Sequence, residues 1–598
     1  MKTPQSFRTF IVASLAGTLF TIAARADDPR TNSWFTTCSS KYARIYTSDV
    51  NKTNGTAATT WSTGSTIQAS PVYCGVQEVY SSSNWVYIRS SGLGSHVMGP
   101  WYLNAAHTQA FPNYPTNEHV LYKLSRQPVV PATKTANGGG PIGYFVDGVA
   151  MFNSWDAYTY SGGTEAQNTT GYWNRDAYIN EGASFDPNNA HQAGGQHHYH
   201  ANPPGLRYLM GDHVDFNSTN KAYTESATVA TKHSPILGWV ADGYPIYGPY
   251  GYSVSTNAAS GIRRMISGYV LRNGAYGTSN LTANGRSTIP AWAARLYNVA
   301  SNAAAGPAVN GTYPLGRYLE DNDYLGDLGF ASGTNTFDLD EYNGRWCVTP
   351  EFPAGTYAYF VAISSNGTPV FPYNIGRGYY GSPTAANTTS ITESVVTNFV
   401  GGPNALPSLD APTAKNGAVT LTWSATEGGT YMVQSTTNFS TWATNSTMVP
   451  ALLNAASYTN NPPDSYRFYR VARTALATYD SPGTGGGTSG GSGGTYLAPG
   501  GSVSRGSGTN ITLNITLPTG GSNPPNAPPA NAPITSVTLG SLSATSSSYA
   551  VQGTVLANFT IPSNATTGAQ NVVVTFGIPP NQTQAPTFTL TGGFTLNP

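Results

Sequence analysis

The sequence predicts a mainly β, multidomain chain: a large β-rich N-terminal domain with a few short helices, then two small β-sandwich modules. Three observations carry this. Only 9% of the 598 residues are charged, and 66 Gly and 42 Pro interrupt the chain often. Apolar residues come in short runs bounded by turn formers, without a sustained helical period. The chain is also too long for one ordinary core.

The first segment, 1–26, reads as a secretory signal. Lys2 and Arg8 form a basic start, "TFIVASLAGTLFTIAA" an apolar stretch, and Ala24-Arg25-Ala26 a small-residue cleavage site. A secreted or extracytoplasmic protein is expected, with no membrane span left after cleavage, because no other apolar run is long enough. The full chain balances 28 basic against 28 acidic residues. Loss of Lys2, Arg8 and Arg25 leaves 25 against 28, a net charge of −3. That balance argues against a nucleic-acid partner, which needs a basic surface.

Residues 27–395 hold all nine histidines and the strand-like runs "NWVYIRSS" (84–91), "HVLYKL" (119–124), "IGYFVDGVAMF" (142–152), "ILGWVADGYPIYG" (236–248) and "GTYAYFVAIS" (355–364). "IPAWAARLYNVAS" (289–301) suits a short helix with Pro290 in its first turn. "GYFVDGVAMF" (143–152) and "GWVADGYPIY" (238–247) align without a gap. Each reads as strand, Asp-Gly turn, strand. They are either a duplicated hairpin or two ordinary hairpins that converged.

Residues 406–474 alternate apolar and polar positions, with Trp423 and Tyr431 facing a small core and "SYRFYRVAR" (465–473) as a last edge strand. This suggests a fibronectin-III-like sandwich. A Gly/Ser-rich linker spans 478–495. Residues 496–598 carry one charged residue, Arg505, and strand patterning that suggests an immunoglobulin-like sandwich. Of the three cysteines, Cys38 and Cys74 are the favoured disulfide pair and Cys347 a buried thiol, with other pairings open.

The chemistry concentrates in "GGQHHYHANPPG" (194–205). On a strand, alternate residues share a face, so His198 and His200 point together, away from His197 and Tyr199. Two imidazoles at that spacing can bind one transition metal, zinc or copper best among the candidates. A third ligand must come from elsewhere: His96, His233, Asp242 or Glu341. His191 and His213 fall in segments that read as exposed loop. Asp147 reads as turn chemistry.

The blocks "QHHYHANPPGLRY", "HSPILGWVADGYPIYGPYG", "DLDEYNGRWCVTPEFPAGTYAYFVAIS" and "PVFPYNIG" together resemble the YHYH-domain proteins, a mostly exported family, over roughly residues 90–380. The resemblance maps the signature's histidines onto His198 and His200 and its second tyrosine onto Tyr199. His197 stands where the signature has its first tyrosine. His96, Asp242, Gly243, Asp340, Glu341, Asn343 and Gly344 fall in blocks that look like family features. The resemblance implies no particular reaction. Three functions compete: a metal-binding protein using His198 and His200; a non-catalytic cell-surface adhesion protein whose partner is a small molecule or surface glycan; and a metal-free hydrolase pairing either histidine with Asp242 or Glu341.

Overall fold

The computed structural model describes residues 28–481, apart from 65, 168–169, 334–335, 416 and 465–466, together with 494–498, 501–504, 509–516, 534–551, 554–562, 564–577 and 587–597. The signal segment 1–26 and residues 482–493 of the linker lie outside the described residues. The fold is mainly β, as expected, and its helices are short. The helix expected in 289–301 spans Ala291–Tyr297, with Pro290 as its N-cap.

The eight-stranded sheet that carries the histidines is built from β1 (Gly143–Phe145), β2 (Ala150–Met151), β3 (Ala190–Ala193), β4 (Gln196–Tyr199), β5 (Ile236–Val240), β6 (Pro245–Tyr247), β7 (Gly344–Cys347) and β8 (Thr356–Phe360). Their spatial order is β3-β4-β2-β1-β5-β6-β8-β7. The two Asp-Gly hairpins, β1–β2 and β5–β6, lie side by side at the centre. β1 and β5 run antiparallel, with Tyr144 opposite Trp239, Gly143 opposite Val240 and Phe145 opposite Gly238.

A pseudo-two-fold axis passes between Tyr144 and Trp239, and the match reaches well beyond the hairpins. β4 pairs in parallel with β2, and β8 in parallel with β6. β3 and β7 close the two edges, each antiparallel to its neighbour. Tyr199 stands beside Met151 as Tyr359 stands beside Ile246. The Val146 amide donates to the Leu237 carbonyl at 2.7 Å and, in return, the Ala241 amide donates to the Ile142 carbonyl at 2.8 Å. Before each edge strand lies the same Asp-x-x-Asn turn, in "DPNNAHQA" (186–193) and "DEYNGRWC" (340–347). Asn189 and Asn343 both adopt positive φ, 57° and 64°, and their carbonyls accept from His200 at 3.1 Å and Phe360 at 3.2 Å. Chance convergence of two hairpins does not produce this chain of equivalent bonds. The unit is a structural duplication.

Each Asp-Gly turn has the same cause. Gly148 and Gly243 sit at φ 77° and 85°, a region that costs an L side chain but not glycine. Each glycine amide bonds back three residues, to Phe145 or Val240, at 2.8 Å. A second, five-stranded antiparallel sheet contains Val76–Ser81, Trp85–Ser90, Val120–Ser125, Ala386–Asn387 and Val396–Val400. It shares one core with the eight-stranded sheet: Val79, Val86, Ile88 and Leu124 meet Phe145, Val146, Trp239 and Ile246.

Residues 413–476 form two three-stranded sheets around Leu421, Trp423, Tyr431 and Val433. Trp423 and Tyr431 do face that core, and Phe468–Leu476 is an edge strand. Glu427 ties this segment to the N-terminal part by accepting from the Tyr42 amide at 2.8 Å and pairing with Arg44. Residues from 494 onward form a four-stranded and a five-stranded sheet around Val555, Phe559, Val572 and Phe594. All three cysteines are buried free thiols. The favoured pair, Cys38 and Cys74, are neighbours: the Cys74 thiol donates to the Cys38 carbonyl at 3.0 Å.

The duplication makes two glycines comparable. A Cβ on Gly148 would come within 2.1 Å of Ser90 Oγ, whose single hydroxyl proton is shared between the carbonyls of Gly75 and Gly148 at 3.0 and 2.9 Å. A Cβ on Gly243 meets nothing closer than the Ser125 carbonyl at 3.1 Å. Gly243→Ala should therefore cost roughly 1–2 kcal/mol of backbone strain. Gly148→Ala should add an overpacking cost of roughly 1–3 kcal/mol. Urea midpoints at unchanged m-value test the difference.

Candidate metal centre

Strand alternation decides which histidines meet. His198 on β4 and His200 just past its end share one face, with Nε2 atoms 3.1 Å apart. His197 and Tyr199 face the other way, toward Trp101 and Phe145. β3 brings a third imidazole, because His191 lies directly opposite His198 in the register. One ring nitrogen from each of His191, His198 and His200 lies within 4.8 Å of the others. All three residues are buried, at 7%, 1% and 2% exposure. This buried group could hold a metal ion.

The expectation that His191 sits in exposed loop is corrected: it lies inside an edge strand. The reason is local. "AHQAGG" lacks apolar alternation, and its strand character comes from pairing with β4 rather than from its own composition.

The partners of the rings fix their tautomers. His198 Nδ1 is 2.9 Å from the Gln196 carbonyl, and His200 Nδ1 is 2.9 Å from the Asn153 carbonyl. A carbonyl only accepts, so both Nδ1 atoms carry the proton. His191 Nδ1 is 2.8 Å from Ser184 Oγ, whose own hydroxyl donates to the Glu181 carbonyl at 2.7 Å. The serine oxygen thus accepts from His191. All three Nε2 atoms are left as bare lone pairs converging on one region. Such outer partners are what orient metal-binding imidazoles.

Two facing lone pairs at 3.1 Å repel each other, whereas a cation between them turns the repulsion into coordination. Tetrahedral zinc, with Zn–N bonds of about 2.0–2.1 Å, sets its nitrogens about 3.3 Å apart. Aromatic rings exclude water from this region. Phe152 stacks on His198 at 3.7 Å between ring centres, and Phe185 stacks on His200 at 5.2 Å.

Burial keeps the imidazoles neutral. It pushes His200 down to about 4, against the opposing Asn153 carbonyl. His191 and His198 fall well below the ordinary histidine value, from burial first and the neighbouring rings second. Glu181, at the end of α1 (Ala177–Glu181), brings Oε2 to 3.5 Å from His200 Nε2 and 3.7 Å from His191 Nε2. Burial raises its carboxyl to about 8; Asp156 adds to the rise and Arg175 opposes it. Neither Glu181 nor Ser184 carries a sequence signal, since a long connection brings them to the sheet.

The other expected site residues are not gathered here. His96 lies on the opposite face of β4, its Nδ1 3.4 Å from Tyr199 Oη. His233 belongs to the second half, packed against Tyr247, Tyr252 and Phe360. Asp242 accepts from Tyr359 Oη at 2.6 Å and from the Gly381 amide at 2.8 Å. Glu341 pairs with Arg295 at 2.6 Å. Neither carboxylate accompanies His198 or His200, so the acid–base pair of the metal-free hydrolase reading is not assembled.

The duplication supplies an internal control. Tyr199 Oη donates to Asp147 at 2.9 Å as Tyr359 Oη donates to Asp242. A feature present in both halves belongs to the scaffold, and this Tyr–Asp staple is one. The histidine group exists once. Arg345 matches His191, Ala358 matches His198 and Phe360 matches His200.

Residues 121–371 match the family model described as YHYH protein. No curated protein and no solved structure matches the chain. The YHYH match contains all eight strands of the sheet, both halves of the duplication, and the three histidines with Glu181 and Ser184. It stops short of the two C-terminal pairs of sheets.

The control yields a prediction inside the matched segment. Tyr199→Phe and Tyr359→Phe should each cost about 1–3 kcal/mol, because each leaves a buried carboxylate short of a donor. Neither should shift the ring signals of His191, His198 and His200 in an imidazole-selective NMR spectrum by more than its neighbour-ring effect. Loss of those signals in Tyr359→Phe, on the far side of the axis, would contradict the division into scaffold and site.

Proposed function

We propose that this is an exported protein whose YHYH domain binds one transition-metal ion, zinc or copper, through His191, His198 and His200. The observation that carries the reading is the convergence of three buried, neutral Nε2 lone pairs, each ring held by a partner on Nδ1. Its confinement to one half of a duplicated sheet adds support, because the scaffold stands without it. Export rests on the signal pattern of residues 1–26. On this reading the segments 406–474 and 496–598 are accessory sandwiches, fibronectin-III-like and immunoglobulin-like.

Elemental analysis of untagged protein prepared with metal present tests it. About one equivalent of a transition metal is expected, and less than about a tenth of an equivalent ends the reading. His191→Ala, His198→Ala and His200→Ala should each lose the ion, while His96→Ala and His233→Ala keep it; circular dichroism checks folding of all five. The ion should also raise the melting temperature, since the assembled site binds it more tightly than the unfolded chain does.

The pH dependence follows from the depressed imidazoles. Protons compete for these nitrogens only when the pH falls toward the folded value, about 4 for His200, rather than near the ordinary 6.5. Dialysis at stepped pH should find the ion retained at about pH 5.5 and released near about pH 4. Retention of the ion at about pH 5.5, below the ordinary histidine value, is the outcome that checks the buried rings as its ligands.

A further inference from the structure

Three imidazoles leave a tetrahedral ion one position short. They also leave its charge uncompensated in an apolar setting. Glu181 answers both needs. Its Oε2 stands 3.5 and 3.7 Å from two of the three ligand nitrogens, close to the roughly 3.3–3.5 Å edge of a tetrahedral N3O shell. Among the described residues no lysine or arginine lies within ion-pair distance of it, and its near neighbours are the neutral rings of His191 and His200. The nearby acids are engaged elsewhere: Asp156 pairs with Arg175 at 2.6 Å, and Asp186 accepts from the amides of Gly99 and Asn188 at 2.8 Å.

Glu181 is held where it stands. Asp176 caps the start of α1 by accepting from the Ile179 amide, and Tyr373 Oη donates to Asp176 at 2.8 Å. At the other end, Ser184 joins the Glu181 carbonyl to His191 Nδ1. One hydroxyl thus couples the backbone of the carboxylate to the orientation of a ligand ring. Glu181 is also the one member of the group with real access to water: its side chain is 29% exposed, against 3% for His200 and 8% for His191.

Resting on the three-histidine reading above, we propose that Glu181 is the fourth ligand, closing a three-histidine, one-carboxylate shell and keeping water off the ion. The donor set N3O with one negative charge suits a divalent borderline ion. It lacks the sulfur ligands that select copper(I) and the all-oxygen shell that selects magnesium or calcium. Of the two metals named above, it favours zinc.

Cobalt(II) serves as the probe, loaded into the full chain in place of zinc. The wild type should give the intense visible absorption of a four-coordinate ion, unchanged between about pH 6 and 9 because no bound water titrates. Glu181→Gln and Glu181→Ala should still take up cobalt, with affinity lower by about 10- to 100-fold. Glu181→Ala should gain a pH-dependent spectrum from the water that enters. Glu181→Asp should restore part of the affinity.

The proposal is overturned if Glu181→Ala matches the wild type in affinity and spectrum while His198→Ala abolishes uptake; the histidine reading then survives alone. A wild-type spectrum that titrates like bound water also overturns it. A wild type that takes up no cobalt and no zinc sinks the histidine reading itself, and Glu181 with it.

Discussion

The antiparallel pairing of two Asp-Gly hairpins across the Tyr144–Trp239 pair is the constraint on which the rest depends. It sets the axis, and the axis sets the places where β4 and β8 can add. β4 adds in parallel to β2 and β8 in parallel to β6, and a parallel addition needs a long crossover. The chain between β2 and β3, and the chain between β6 and β7, are those crossovers. The sheet is duplicated, but the crossovers have diverged. The first carries α1 and Ser184 over the outer strands; the second makes instead a two-stranded ribbon, Tyr250–Val254 with Asn257–Arg264, and the helix Ala291–Tyr297. The candidate site arises where the first crossover covers repeated strands.

That origin explains how similar backbones carry opposite chemistry. In the first half, His191, His198 and His200 expose lone pairs to a shared region. In the second, Arg345 places its guanidinium 5.4 Å from the Phe360 ring centre and donates to the Tyr252 carbonyl at 2.6 Å. Ala358 contributes no donor. Tyr247, which matches Phe152, donates to Glu351 at 2.8 Å. The Tyr–Asp staples, the Asp-x-x-Asn turns and the Asp-Gly turns recur in both halves because they hold strands together, and strand pairing is common to both.

The sequence makes the strands legible wherever composition alone forces them, as in "WVYIRS" or "TYAYF". The alternation that puts His198 with His200 and apart from Tyr199 follows from strand geometry without knowledge of the fold. The hairpin match was visible because Asp-Gly is a rare, strict signal. The wider duplication was not, because its remaining marks are single residues: Asp186 with Asp340, Asn189 with Asn343, Tyr199 with Tyr359. His191 was obscured by its polar neighbours. Glu181, Ser184 and Asn153 were obscured because each reaches the site by tertiary contact. His96, Asp242 and Glu341 looked site-like for the opposite reason. Polar residues that satisfy buried turns and carboxylates resemble functional ones until their partners are seen.

Burying so many titratable groups has a further consequence, and its sign can be worked out. His96 and His197 are pushed by burial to about 3, and His200 and His233 to about 4. As the pH falls below the unfolded value near 6.5, the unfolded chain takes up protons that these residues refuse, so the native state loses stability down to the folded values. The turn and staple carboxylates act oppositely. Burial lifts Asp147, Asp186 and Asp242 to about 6 and Asp340 to about 7. Between those values and the unfolded carboxylate range, the native state binds protons that the unfolded chain does not, and stability rises as the pH falls. The two windows overlap from about 4 to about 6. The buried aspartates of the duplicated scaffold therefore act against the buried histidines across that span. The scaffold that positions the imidazoles also compensates for the acid sensitivity that burying them creates.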